Sequence, residues 1–377
     1  MRFAIDGTLW ESYRPDLYDR MAMAVLEGLE ALGHPSTFLG KARTSPLPPA
    51  GHGAPPAARQ TLAEPNPPQA ARWMQVESNF VEKVLPGGWL KRSVPRVIRE
   101  GSMDRWVSWT GENTLPGGGQ RVFLKDVSEL LWGASPKAAA SVRAKCASVL
   151  KDPTAEVITF SQRAAEMLGG SRIHALPPFY GAAVPASWEA REAAKATFSD
   201  RKEYFLWVGT LDGQAHWRDA MKAFSQFKIR QRSQMQLLMA PWKVLDGDFG
   251  ESLASYKYRA DVKVLDPALW ERAAVGAYAL LYTPRTDELG WMVPAAMAME
   301  VPLVSTTASV AREWAEEAVE WVDPGSPAAI VEAMLRLYKD ETYRSRLLAR
   351  GKAIREANSG EVVLRQYEQV LTKALNS

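Results

Sequence analysis

The sequence predicts an α/β protein of two domains, each built on a parallel sheet covered by helices. Three observations lead there. The chain has 377 residues, more than one hydrophobic core ordinarily organises. Short apolar runs alternate with stretches whose apolar residues recur at helical spacing, the pattern left by parallel strands joined through crossover helices. A hydrophobic content of 46% with 24% charged residues is the balance of a globular chain and excludes a disordered or fibrous one.

Taken in order, residues 2–5 form a first strand. Residues 18–32 carry Met21, Val25, Leu29 and Leu32 on one helical face and stop at Gly33, a residue type that commonly ends helices. Residues 40–70 are rich in Pro, Ala and Gly (SPLPPAGHGAPPAARQ), which suits neither helix nor central strand and predicts a long irregular loop. Strands follow at 106–109, 121–124 and 156–160, with a helix of small residues at 138–150 between the last two. The second half opens with strand 204–211 and helix 220–227. Further strands are expected at 237–240, 262–265, 277–282 and 301–305, a small-residue helix at 294–299, then an acidic helix, and a last helix at 361–375. The domains are placed at 1–185 and 186–360, joined after Pro177 and Pro178, with 361–377 as a returning helix. In such sheets ligands sit at the carboxyl ends of the strands.

Composition excludes several functions. A single cysteine, Cys146, rules out an intrachain disulfide and any all-cysteine metal site, and the four histidines at 34, 52, 174 and 216 show no paired ligand spacing. A net charge of +3, tilted mildly towards the first domain, is far below that of a dedicated nucleic-acid binder. No secretory leader and no membrane-length apolar run is evident, so a cytoplasmic protein is expected.

The stretch 277–324, AYALLYTPRTDELGWMVPAAMAMEVPLVSTTASVAREWAEEAVEWVDP, orders strand, polar turn, helix and strand in a way that resembles the C-terminal domain of retaining GT-B glycosyltransferases of the family 4 type, glycosyl transferases group 1. The segment 157–182, VITFSQRAAEMLGGSRIHALPPFYGA, resembles the last crossover of that family's N-terminal domain, with Ser161 as a helix N-cap. The resemblance implies a GT-B fold, two Rossmann-like domains facing across a cleft. It also implies transfer of a sugar from a nucleotide-sugar donor to a hydroxyl acceptor, retaining and independent of metal, with the donor as co-substrate and no cofactor.

The family's motifs are eroded. Its two glutamates, seven residues apart, fall in this sequence at Asp287 and Ala295, with Glu288 one residue out of register. Its diphosphate-binding Arg and Lys after the first strand of the second domain fall at Thr210 and Ala215, following Gly209. His216, Arg218, Lys243 and Arg285 either replace that charge or remain solvated surface cations. Gly290 and the amides of Trp291 and Met292, ahead of a helix, form an expected anion cradle. The segment KVLD (263–266), with Leu265 packing, corresponds to the family segment that reads the nucleobase. Lys125 and Asp126 stand where relatives carry His-Asp facing the sugar, so that Asp126 either orients the acceptor or caps the next helix.

On this basis Asp287 and Asp126 are the candidate catalytic residues. The loss of two cations and one carboxylate equally suits a catalytically silent GT-B protein that binds or regulates another enzyme. Between residues 73 and 109, Trp73, Trp89, Trp106 and Trp109 interleave with Lys and Arg. That mixture either packs as core with a wet face or stacks on bases, which keeps glycosylation of a modified DNA base as a third alternative.

Overall fold

The computed structural model describes residues 1–6, 17–41, 72–76, 89–109, 111, 114–115, 119–124, 127–133, 135–181, 185–211, 216–244 and 248–374. The Pro-rich segment expected to be irregular lies outside these residues, except that Gly40 and Lys41 close a strand.

The described strands form two sheets, both wholly parallel. The first runs β3(Arg72–Val76), β2(Ser36–Lys41), β1(Phe3–Asp6), β4(Arg105–Ser108), β5(Arg121–Phe123), β6(Glu156–Thr159) and β7(Ile173–Ala175) in that spatial order. The second runs β10(Val262–Val264), β9(Gln236–Val244), β8(Tyr204–Leu211), β11(Ala279–Tyr282), β12(Leu303–Thr306) and β13(Glu320–Val322). Helices cover both faces, so central strands are continuously apolar rather than alternating: all four residues of β11, ALLY, are buried. Ser161 caps the helix Gln162–Leu168 by accepting from the Ala164 N–H at 2.9 Å. The strand β2 was not expected from the sequence, because Pro35 before it and Gly40 within it mimic turn punctuation.

The tryptophans of the first domain belong to its core where they are described. Trp106 and Trp109 are buried, and the Trp109 ring stacks on Phe123 with centroids 4.0 Å apart. The side chains of Trp73 and Trp89 lie outside the described residues.

The last helix, Gly360–Thr372, returns to the first sheet and lies along the helix Leu17–Ala31. Gly28 makes this approach close, since a Cβ there would sit 2.7 Å from the Leu364 side chain. Tyr367 is fully buried and donates its hydroxyl to the Pro177 carbonyl at 2.9 Å. The main fastening is Arg121 of β5. Its Nε donates to the Val370 carbonyl at 3.1 Å and its Nη2 to the Lys373 carbonyl at 2.7 Å, while Nη1 reaches the carbonyls of Gly119 and Thr154. Carbonyls at a helix C-terminus have no partner within the helix and carry its negative dipole end, so a cation answers both needs. Burial pulls the Arg121 guanidinium down to about 10, with the nearby Arg105 charge acting in the same direction. Two carboxylates flank this contact: Glu368 meets His34 at 2.8 Å, and Glu156 meets both His174 at 2.6 Å and Lys373 at 2.9 Å.

Arg121→Ala removes the Arg121 donor from the Val370 carbonyl and leaves the Lys373 carbonyl only its longer bond from Arg105, at 3.3 Å. The expected loss is about 3 kcal/mol or more, from two charge-assisted hydrogen bonds, read by urea denaturation. Hydrogen exchange at residues 360–372 should accelerate in the same variant, and unchanged exchange there would refute the role assigned to Arg121.

Candidate functional site

The second sheet reverses direction between β8 and β11, with β9 and β10 built outward on one side and β12 and β13 on the other. Connections that leave neighbouring strands in opposite directions open a crevice at their carboxyl ends. A cavity of about 270 Å³ lies there. Its walls are Trp207 to Thr210 of β8, Trp242 of β9, His216 ahead of the helix Trp217–Gln231, Tyr282 at the end of β11, and Thr283 to Thr286 beyond it. No Asp or Glu is among these described lining residues.

Gly209 shapes the floor. A Cβ at this position would lie 2.8 Å from the Trp207 ring, so any larger residue displaces the indole. The pairing of β8 with β9 shifts by one residue immediately after Gly209, as at a bulge, and turns the chain towards the cavity.

Three buried polar atoms of these lining residues have no hydrogen-bond partner among the described residues: Thr283 Oγ1, Trp242 Nε1 and His216 Nε2. Each unmade bond of this kind destabilises the fold by about 1–3 kcal/mol. Each belongs to a residue that lines this cavity, and a buried polar atom without a partner calls for a water, an ion or a ligand to supply one. His216 is held from its other side, Nδ1 lying 2.8 Å from Asp219 Oδ2 in the first turn of the helix it precedes. Arg285 is exposed at the rim and forms no ion pair among the described residues. Behind Trp242 a file of rings leads away from the cavity, Tyr282 to Trp242 at 5.8 Å, Trp242 to Trp270 at 6.2 Å, Trp270 to Trp291 at 6.0 Å and Trp291 to Tyr180 at 5.0 Å.

Of the residues singled out in the sequence, Gly209, Thr210, His216 and Arg285 meet at this cavity. Others do not line it. Arg218 stacks over Trp217 at 4.2 Å and pairs with Asp248 at 3.5 Å. Leu265 donates its backbone N–H to Met239 at 2.8 Å and packs beside the core. Lys243 lies in β9 opposite Thr210, its side chain outside the described residues. Glu288 is half-buried in the loop after Asp287. Lys125 and Asp126 lie outside the described residues.

Asp287 departs most from expectation. It is 3% exposed, and both carboxylate oxygens are engaged inside the protein: the Gly290 N–H donates to Oδ1 at 2.9 Å and the Ser309 hydroxyl to Oδ2 at 2.7 Å. Its backbone is tied to the same neighbour, with Asp287 N–H donating to Ala308 and Val310 N–H donating to Asp287. The residue expected to hold a donor sugar thus pins the loop 287–290 against 308–311, because an aspartate one methylene shorter than glutamate folds back onto its own turn. The expected cradle is altered by the same bond. The Gly290 amide is committed to Asp287, Trp291 is buried with its Nε1 donating to the Phe179 carbonyl at 3.1 Å, and Met292 starts the wholly packed helix Met292–Met299. Ala295 in that helix is fully buried.

Comparison with known proteins fits this geometry. Residues 189–354 match the family model of glycosyl transferases group 1, which spans the second sheet and its helices. No curated protein matches the sequence. WaaG, a glycosyltransferase involved in lipopolysaccharide biosynthesis, superposes with a TM-score of 0.70 at 14% identity, over 99% of this chain and 100% of its own. HepE of Anabaena, solved in complex with UDP and glucose, superposes with a TM-score of 0.70 at 13% identity over 99% of each chain. Sucrose-phosphate synthase of Thermosynechococcus elongatus gives 0.72 at 14% identity over 99% of this chain and 98% of its own. At such identities the structures establish the shared fold, which is GT-B. The second half of the chain carries a region that matches glycosyl transferases group 1. Among the described residues no helix is long and apolar enough to cross a membrane.

Burial raises the Asp287 carboxyl above the ordinary carboxylate range, outweighing the hydrogen bonds from Ser309, Gly290 and Leu289 that lower it. A carboxyl raised by folding contributes stability that is fully present below its unfolded value and is lost as pH rises through the folded one. Relative to Asp287→Asn, which keeps the shape without the charge, the wild-type melting temperature should therefore fall as pH rises above the ordinary carboxylate value of about 4. Calorimetric melts along that rise give the difference directly, and a constant gap would show that folding leaves this carboxyl unshifted.

Proposed function

We propose that the protein transfers a sugar from a nucleotide-sugar donor to a hydroxyl acceptor, with retention of configuration and without a metal ion. The observation that carries this reading is the cavity at the β8–β11 reversal, whose described lining holds Arg285, His216 and several hydroxyl groups and no carboxylate, a set that suits a diphosphate. Charge that develops on a leaving diphosphate is stabilised by fixed donors and cations aimed at it. His216, Arg285 and the backbone beside Gly209 and Thr210, which line the cavity, are assigned to that task, and so is Lys243. HepE, which shares the fold, was solved with UDP, in support of the same ligand class. The nucleobase is assigned to the edge of the cavity towards Leu265. Asp126 is assigned to the acceptor through its place after β5, and Asp287 acts by positioning the loop that borders the donor. Retention follows from the resemblance of the 277–324 segment to retaining enzymes.

A second reading, a silent GT-B protein that binds a nucleotide and acts on a partner, is favoured by the internal engagement of Asp287 and the packing of Ala295. The DNA-base alternative loses support at Trp106 and Trp109, whose rings are core.

Titration calorimetry with UDP and a donor hydrolysis and transfer assay separate these. His216→Ala and Arg285→Ala should each weaken UDP binding about tenfold or more, the value of one charge-assisted hydrogen bond. Asp126→Ala should lower turnover at least about tenfold with UDP affinity unchanged. Turnover should survive chelation. Binding without hydrolysis or transfer for any donor would favour the silent protein, and absence of nucleotide binding would remove both.

A further inference from the structure

Two contacts by which the second domain holds the first differ in their exposure to water. Beside the linker, the buried Trp291 donates its Nε1–H to the Phe179 carbonyl at 3.1 Å, and its ring lies 5.0 Å from that of Tyr180. Farther along the chain Glu313 reaches the start of the helix Gln162–Leu168. Its Oε1 accepts from the Ser161 hydroxyl at 2.6 Å, and its Oε2 from the Gln162 and Arg163 N–H groups at 2.7 and 3.4 Å. Glu313 and Gln162 are exposed, while Ser161 beneath them is buried. The side chains at the two contacts are carried by one body. Asp287 joins the loop 287–290 to the loop 308–311 through Gly290 and Ser309, and backbone bonds between 287 and both 308 and 310 reinforce the joint. Trp291 follows the first loop directly, and Glu313 closely follows the second.

The helix that Glu313 meets lacks what Glu313 supplies. The first N–H groups of a helix have no partner within it. Ser161 Oγ takes the Ala164 N–H at 2.9 Å, and the position three residues beyond the cap, from which a local glutamate would reach back, is Ala164 itself. The Gln162 and Arg163 amides are instead met by a carboxylate from the other domain. Arg312, next to that carboxylate, is committed to Glu316 at 2.9 and 2.7 Å. We propose that Glu313 is the latch of the interdomain cleft and the Trp291–Phe179 contact its pivot. Exposed amides and an exposed carboxylate exchange one another for water at small net cost, whereas a buried bond broken without a replacement costs far more. Opening therefore releases Glu313 and keeps Trp291, and the Asp287 joint carries the two loops through the motion together. For the sugar transfer proposed above, the latch makes Glu313 a positioning residue: it touches neither donor nor acceptor, and it holds the first domain over the cavity of the second.

The test needs no ligand. Spin labels are placed in the full chain at Lys137→Cys and Lys222→Cys, exposed residues of the first and second domains, Cys146 being buried. The parent should give one narrow interdomain distance by pulsed dipolar spectroscopy, and Glu313→Ala a broader distribution with a second population. Glu313→Gln, whose amide oxygen still accepts from the Gln162 N–H, should stay close to the parent. Hydrogen exchange at Gln162 should be about tenfold faster or more in Glu313→Ala, with circular dichroism showing that the variant is folded. Faster exchange with an unchanged distance would reduce Glu313 to a local helix cap and overturn the latch, and so would unchanged exchange. In the transfer assay, Glu313→Ala should lower kcat at least about tenfold with UDP affinity within about twofold of the parent, since no residue lining the cavity is altered. An unchanged kcat in a variant whose distance does change would overturn the positioning role. A parent that turns over no donor would overturn the proposed function, and the distance measurement would still decide the latch.

Discussion

Parallel strands cannot be joined by tight turns, and this constraint organises the whole molecule. Every strand in both sheets must be reached by a crossover that packs on one face or the other, so both faces are covered and the strand ends remain as the open edges. Where the order reverses, at β1 and β4 in the first sheet and β8 and β11 in the second, neighbouring crossovers diverge and leave a crevice. The carboxyl ends of the two sheets also meet each other. Glu313, beyond β12, accepts from the Ser161 hydroxyl at 2.6 Å and the Gln162 N–H at 2.7 Å, just past β6. The cavity therefore lies at an edge that faces the other domain, while the Arg121 contact holds the last helix across the first sheet.

Within that frame the charges have been rearranged relative to the family the sequence resembles. A carboxylate at 287 remains, but it closes a loop instead of lining the cavity, and the alanine at 295 is absorbed into a helix with almost no exposed surface. The cavity itself is left with His216, Arg285, two hydroxyl-bearing walls and an indole N–H. Among the described residues such a set accepts anions and repels none, whereas sugar hydroxyls that need an acceptor find only backbone carbonyls and hydroxyls there. The aromatic file from Tyr282 to Tyr180 fills the ground between the cavity and the domain contact, which stiffens the cavity wall and links it to the linker at Phe179 and Tyr180.

Much of the fold was legible because its signals are local. The eight-residue run YFLWVGTL, the helix stop at Gly33 and the Ser161 cap each follow from short-range sterics and hydrogen bonding, and each appears where those rules put it. β2 was hidden by the turn-forming residues at its ends. The tryptophans between 73 and 109 were ambiguous in principle, because a ring next to arginines suits either a core or a ligand; burial decides for the core at Trp106 and Trp109, the latter stacked on Phe123.

The sequence by itself determined the α/β class, the strand and helix order, the family resemblance and the absence of the usual diphosphate-binding cations, since all of these depend on residue type and spacing along the chain. Tertiary structure decided what each polar residue does. Asp287 and Ser309 are 22 residues apart and become partners only when the loops after β11 and β12 are brought together, and Arg121 finds the carbonyls of 370 and 373 only because the chain returns to its first sheet. Trp242 and Thr283 gave no signal in the sequence, because an unpartnered atom is a property of surroundings and not of a residue; His216 and Arg285 were visible as charges, but their meeting across β8 and β11 was set by the reversal of the sheet.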